Sequence, residues 1–419
     1  MQPRSRPLTQ RSVEQHQTLS RPAAYSAAVD FELPPETDPR RVEIRSWLNE
    51  HPSPTGRQLA EAGYVAPHWP KPFGLAADPI HQLVIDDELR AAGVRRPNNP
   101  IGIGWAGPTL LSAGTEAQQH KYLLGLLSGE EIWCQLFSEP GSGSDLASLA
   151  TRAVKDGDEW VVNGQKIWTS LGHQAKYGIL IARTDPAESK QRGISYFICK
   201  MDSPGIDIRP IPEMTGGHTF NEVFMTDLRI PAENLVGEVN DGWRLAKVTL
   251  SNERVSLSAA GALWGMGPDA GDLLDLVRTT GGVIDPLMRQ RLVDMYMQSE
   301  ILRLIRLRTV TAAIAGREPG PEASVRKVLA DEHGQQIMGI AKDLAGAGGM
   351  LTDAGPLGTE VGIWHYGYLF APALTIGGGT GDVQRNIISE RVLGLPHDVD
   401  VEVGKSWSES QRSAGSSAI

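Results

Sequence analysis

The chain has 419 residues, 40% hydrophobic and 21% charged, a globular composition long enough for two or three structural regions around a large core. Its formal charge of −10 argues against nucleic acid or an anionic membrane surface as a partner. Two cysteines argue against a disulfide scaffold and fit a reducing cytoplasm; no apolar stretch is long enough to span a bilayer, and ten histidines without paired ligand spacing give no support to a metal site.

Residues 1–34 read as a disordered tail. Arg4, Arg6, Arg11 and Arg21 share the bias of an organelle transit peptide, but Pro3, Pro7 and Pro22 disfavour the amphipathic helix such a peptide forms. From 35 to 131 the pattern predicts a helical domain. VIDDELRAAGV and GTEAQQHKYLLGLLSGE are its clearest helices, the second N-capped by Thr115, with RRPNNPIGIGWAGP as a loop between them. From 132 to 241 the period changes to two: IWCQLFS, TRAVKDGDEWVVNGQKIWTS, KYGILIART, GISYFICKM and FNEVFMTDLRI read as strands. Asp156-Gly157 and Asn163-Gly164 are hairpin dipeptides, because each offers a residue tolerant of positive φ. The connections are too short for βαβ units, so an antiparallel β domain is expected. Residues 242–398 predict a C-terminal four-helix bundle, with candidate helices at 242–264, 268–278, 286–316, 322–345 and 380–393. The end, 399–419, closes on SWSESQRSAGSSAI and reads as a second tail. The fold class expected is α+β, and that order alone identifies no function.

Two features carry chemistry. Gly141-Ser142-Gly143-Ser144 is a turn rich in backbone N–H groups and hydroxyls, suited to a phosphate or a polar cofactor edge, or simply a loop. It lacks the third glycine and crossover helix of a dinucleotide fingerprint. On the 242–264 helix, Trp243, Ala246, Leu250, Glu253, Leu257, Ala260 and Trp264 recur at helical spacing, forming an apolar stripe broken by one carboxylate. A carboxylate there is costly unless paired or solvated, so Glu253 is either a functional base or the structural partner of a neighbouring arginine.

FSEPGSGSD and NGQKIWTS, then FMTDLRIPAENLVGEVNDGW, then IGGGTGDVQRNIISERVLGLP stand in the order and spacing of an acyl-CoA dehydrogenase, and residues 40–396 resemble that family. The resemblance implies FAD and an acyl-CoA substrate. It places Gln135, Phe137 and Ser138 along the flavin ring, Trp168 beside it, Ser170 near N5 where most relatives carry Thr, and Ser144 by the acyl-CoA arm. It gives the FAD pyrophosphate and adenosine, held partly by a second subunit, to Arg278, Asp343, Gly346, Thr380 and Asp382. Two departures mark that half: Arg278-Thr279-Thr280-Gly281-Gly282 stands where relatives have Arg-x-Thr-Phe-Gly, and Asp343 stands where they often have Gln.

Medium- and short-chain relatives place their base in Tyr-Glu-Gly-Thr, and this chain has Gly377-Gly378-Gly379-Thr380 instead. Long- and branched-chain members, the isovaleryl-CoA dehydrogenase type, use a Glu-Arg pair with glycine at the other site, which Glu253-Arg254 and Gly378 reproduce. The resemblance thus makes Glu253 the general base, Arg254 its orienting charge and Gly378 a backbone donor to the thioester oxygen. The product is the trans-2-enoyl thioester, and electrons pass to an electron-transfer flavoprotein. Subunits are expected to associate through the C-terminal helices as a homotetramer or as a heterotetramer with a related chain. The rival readings are a flavin oxidase or monooxygenase of the same fold, and one subunit of a heterotetrameric dehydrogenase.

Overall fold

The computed structural model describes residues 34–257, 263, 267–279, 281–282, 285–314, 320–350, 360–399 and 402–416. Helix starts follow side-chain caps. Asp38 and Asp78, each followed by proline at the first helical position, accept backbone N–H groups to open α1 (Pro39–Glu50) and α3 (Pro79–Ala91). Thr55 and Thr115 form capping boxes with Gln58 and Gln118, opening α2 (Gly56–Glu61) and α5 (Glu116–Ser128). The expected loop before α5 is half helical: a π-helical turn at Gly102–Ala106 runs into α4 (Gly107–Ala113). Glycine makes this possible, since a Cβ on Gly107 would sit 2.1 Å from the Trp69 ring.

The sheet follows the order β6-β7-β3-β2-β4-β5-β8, with β1 also on β4. Its strands are β1 (Trp133–Leu136), β2 (Arg152–Asp156), β3 (Glu159–Lys166), β4 (Tyr177–Arg183), β5 (Ile194–Lys200), β6 (Ile206–Pro210), β7 (Asn221–Pro231) and β8 (Leu235–Val236). The expectation of a purely antiparallel domain needs correction. β1 runs parallel to β4 from Trp133↔Tyr177 to Leu136↔Leu180, and β2 meets β4 in parallel at Arg152↔Arg183. The link from β1 to β4 is the β2–β3 hairpin, so a parallel pair forms without a crossover helix. Along β1, Trp133 and Phe137 face a core shared with the N-terminal helices, whereas Cys134 and Leu136 face a second core around Trp160 and Phe197.

After β8 come α6 (Gly242–Leu257), α7 (Ala270–Thr279), α8 (Pro286–Ile314), α9 (Ala323–Ala345), α10 (Glu360–Phe370) and α11 (Gly381–Ile387). Leu273, Met295, Met338 and Trp364 bring α7 to α10 into one core, and α6 packs against the sheet through Leu245 and Ala246. α10 has no counterpart among the candidate helices. Ala260, Trp264, Thr280 and the Arg254 side chain lie outside the described residues. The second expected tail is also corrected: α12 (Trp407–Ser416) is a helix, and Trp407 anchors it by donating its indole N–H to Ser148 O at 3.2 Å. No helix among the described residues is long and apolar enough to cross a membrane.

Candidate active site

The end of β1 and the end of β3 are tied by a buried ion pair. Lys166, fully buried, donates to Phe137 O at 2.9 Å and to Glu139 Oε1 at 2.8 Å. Glu139 also accepts the backbone N–H groups of Ala150 at 2.7 Å and Thr151 at 2.9 Å. Burial pushes the Glu139 carboxyl up, but Lys166 and those donors more than offset it and leave it below its ordinary value. Neither residue was singled out from the sequence. The signal was there: Lys166 shares strand parity with Trp160 and Val162, which marks a cation on an inward face.

This pair sets the glycine-serine turn. Glu139 and Ser142 exchange backbone hydrogen bonds at 2.9 and 3.0 Å, and the Ser142 hydroxyl donates to Asp145 O at 2.8 Å. Ser144 is exposed, and a Cβ on Gly141 or Gly143 would meet nothing within 4 Å, so the turn is open to a ligand. Beside it, Ile167 N–H donates to Ser138 O at 2.9 Å, joining the two motif segments. Trp168 has φ of 61° and Leu171 of 58°, left-handed values that cost non-glycine residues energy. Paired backbone bonds between Thr169 and Asn221, both 3.0 Å, hold this strained stretch. The Trp168 indole is 58% exposed and touches Phe220 edge-on. Gln135, half-buried, stands between Trp133 and Phe137 on the apolar face, and Ser138 and Ser170 are half-buried hydroxyls. A flat indole, one amide on an apolar wall, two hydroxyls and an open glycine turn fit a planar ring with a polar edge.

Glu253 is carried by α6. Gly242 lets that helix touch β5, since a Cβ there would come 2.6 Å from Ser195 C. One turn before Glu253, Thr249 meets Thr109 of α4 at 2.8 Å and the Tyr196 hydroxyl of β5 at 3.0 Å. All three hydroxyl residues are buried, so helix, sheet and N-terminal domain join at one point. Residues four apart share a helix face, so Glu253 continues the face that this joint fixes, and it is 6% exposed.

The helical half of the site is looser. Gly378 and Gly379 have φ of 69° and 91°, and buried Gln384 donates to both their carbonyls, at 3.1 and 3.4 Å. Thr380 caps α11 by accepting from Val383 N–H at 3.3 Å. Lys327, fully buried, donates to Asp331 at 2.6 Å and to Leu374 O at 3.3 Å, fixing the approach to these glycines. Burial raises the Asp331 carboxyl against the pull of Lys327. Thr380 and Asp382 line a cavity of about 330 Å³ with Asp331, Glu332 and Arg385. Arg278 and Asp343 do not line it. Each stands on the surface with a neighbour of its own, Arg278 with Asp275 at 2.6 Å and Asp343 with Arg291 at 2.8 Å. Gly346, with φ of 53°, closes α9.

Three acyl-CoA dehydrogenase profiles match this architecture in turn: the N-terminal domain over residues 33–130, the middle domain over 134–228 and the C-terminal domain over 240–393. The chain therefore belongs to the acyl-CoA dehydrogenase family, oxidoreductases that typically use FAD. It is 39% identical over 357 residues to the acyl-CoA dehydrogenase IpdE1 of Mycobacterium tuberculosis, covering 85% of this chain and 89% of that protein. It is 42% identical over 339 residues to FadE34 of the same organism, covering 81% of this chain but only 45% of that longer protein. Among solved structures, the ChsE4-ChsE5 complex from Mycobacterium tuberculosis matches with a TM-score of 0.71 at 31% identity, covering 88% of this chain and 100% of that one. The Tcur3481-Tcur3483 steroid ACAD matches with 0.70 at 31% identity, covering 85% and 97%.

Proposed function

We propose that this chain oxidises the α,β bond of an acyl-CoA thioester to the trans-2-enoyl-CoA, with Glu253 as general base. The observation that carries this is Glu253 itself: a buried carboxylate on the α6 face fixed by the hydroxyl joint, with glycine at 377–379. Bound FAD would supply the hydride acceptor at N5. Gln135, Phe137, Ser138, Trp168 and Ser170 would bind and orient its ring, and Thr380 and Asp382, at the start of α11, are given to its pyrophosphate and adenosine half. Glu253 removes the α-proton, and Gly378 N–H steadies the thioester oxygen as charge builds there. Arg254, next along α6, is given the balancing charge, and Ser144 the acyl-CoA arm.

The base position suits branched, long or polycyclic acyl groups. The steroid relative supports a polycyclic one. Reoxidation is assigned to an electron-transfer flavoprotein. Arg278, Asp343 and Gly346 are assigned to the FAD of a neighbouring subunit, in a homotetramer or a heterotetramer with a related chain. The exposed apolar face of α8 supports association: Val293, Tyr296, Met297, Ile301 and Leu304 are about half exposed.

The test is Glu253→Gln, which keeps shape and removes basicity. Flavin content should be unchanged, while reduction of the flavin across a panel of acyl-CoA thioesters should slow at least about a hundredfold. A variant that reduces its flavin at the wild-type rate would mean that another group takes the proton.

A further inference from the structure

The C-terminal segment reads as a tail in sequence, and the structure sets it against the loop that carries Ser144. The seat is Arg183, 2% exposed, with no carboxylate in hydrogen-bond range among the described residues. Its guanidinium donates to three carbonyls: Ala147 at 2.6 Å, Leu149 at 3.2 Å and Lys190 at 2.8 Å. Burial pulls its pKa down to about 10, with Glu139 and Asp185 opposing. The Trp407 ring lies over this cation at 5.0 Å. Its indole N–H donates to Ser148 O, while the backbone N–H groups of Trp407 and Ser408 donate to Glu188 O and Pro186 O at 2.8 and 3.1 Å. Lys190 adds a second tie, with Asp145 at 3.1 Å on one side and Glu402 at 2.5 Å on the other.

Residues 145–149 are thus gripped from inside by Arg183 and from outside by Trp407 and, through Lys190, Glu402. A Ser-rich helix such as α12 has little stability of its own, so these anchors are what hold it. We propose that residues 402–416 are a clasp that holds the Gly141–Leu149 loop in the form that takes the acyl-CoA, with Trp407 as its positioning residue. The proposal rests on the functional reading above only in naming acyl-CoA as what the loop receives. A loop ordered in advance binds more tightly without changing the chemical step, so the clasp acts on KM rather than kcat.

The experiment uses full-length Trp407→Ala and Trp407→Phe, read by amide hydrogen exchange and by acyl-CoA kinetics. In Trp407→Ala, amides of 141–149 should exchange about tenfold faster, while those of α9 stay as in wild type. KM should rise about fivefold with kcat within about twofold. Trp407→Phe keeps a ring over Arg183 and loses the N–H, so it should fall between. Unchanged exchange at 141–149, exchange rising equally throughout the chain, or a loss in kcat at constant KM would each overturn the clasp. If exchange responds as expected but wild type turns over no acyl-CoA, the loop clasp stands and the functional reading falls. Should Trp407→Ala fail to fold, Glu402→Gln decides: it weakens the Lys190 tie to residue 402 while leaving Lys190 on Asp145 and Trp407 in place. It should speed exchange at 141–149 and raise KM about twofold, and wild-type values there would overturn the proposal.

Discussion

In the β domain, the residues around the proposed flavin ring are completed by their own chain: Lys166 finds Glu139, Ile167 finds Ser138, and Thr169 finds Asn221, mostly out of solvent. In the helical region, the charged residues given to the pyrophosphate and adenosine stand in water. Arg278 is 73% exposed at its side chain and Asp382 96%. The first region is preorganised by burial, where breaking an interaction is costly. In the second, beside the buried Lys327–Asp331 pair, the charges given to the cofactor sit on surface pairs that can be exchanged at little cost. That difference is what a ligand shared between subunits requires: one wall built in advance, the other free to re-pair when the neighbour arrives.

The largest effect should come from the built wall. Lys166→Met leaves the Glu139 carboxylate buried without its counter-ion, and should cost about 3–5 kcal/mol in a denaturant titration, with flavin lost at the same time. Adding Glu139→Gln should recover part of that loss. Stability matching wild type in the single variant would show that the pair does not organise this wall.

Acid should act on the same wall, with a smaller effect. The folded Glu139 carboxyl lies below its ordinary 4.5, so the unfolded chain takes up this proton first as pH falls. Its contribution is complete above 4.5 and is lost as pH falls through the lower folded value. Flavin fluorescence and thermal melting should both register that loss, and Glu139→Gln should show a flatter acid limb. An equal slope in the variant would assign the acid response elsewhere.

The smallest effect on stability should be at Arg278. Its pair with Asp275 is exposed, so Arg278→Ala should move Tm by less than about 2 °C. Flavin retention in the assembled protein should nevertheless weaken, as read by dialysis and absorbance. If flavin is held as tightly as before, Arg278 does not reach a neighbouring site and the two walls are less different.

Much of this was legible in sequence because it depends on local chemistry. Thr115 caps a helix, Asp156-Gly157 turns a hairpin, and a carboxylate interrupts an apolar stripe whatever the surroundings. The departures come from long-range partners. β1 pairs in parallel with β4, some forty residues along, and no turn dipeptide reports that. α10, EVGIWHYGYLF, has two glycines and several aromatic and β-branched residues, which weaken a helical reading; burial of Trp364 in one core with Met338 and Leu374 supplies what propensity does not. α12 is helical because Trp407 has a seat. Buried Lys166 was readable by strand parity, but its partner Glu139 lies twenty-seven residues away; Lys327 has Asp331 four residues on along α9, and only its second acceptor, Leu374 O, is distant at forty-seven residues.

The hydroxyl joint of Thr109, Thr249 and Tyr196 has a consequence in proton bookkeeping. Thr109 reaches Trp105 O at 2.9 Å, Thr249 reaches Leu245 O at 3.1 Å, and Thr249 also meets Thr109 at 2.8 Å and the Tyr196 hydroxyl at 3.0 Å. Burial pushes the Tyr196 phenol up, so it keeps its proton. Each hydroxyl has one hydrogen to give, and the junction therefore has three hydrogens for four bonds. At any instant at least one link is two oxygens facing each other with no hydrogen between them. The vacancy moves as a hydroxyl rotates, while the heavy atoms keep their places. The three domains are thus joined by a bond set with several hydrogen arrangements and one geometry, a seam that keeps some entropy while holding Glu253 in position.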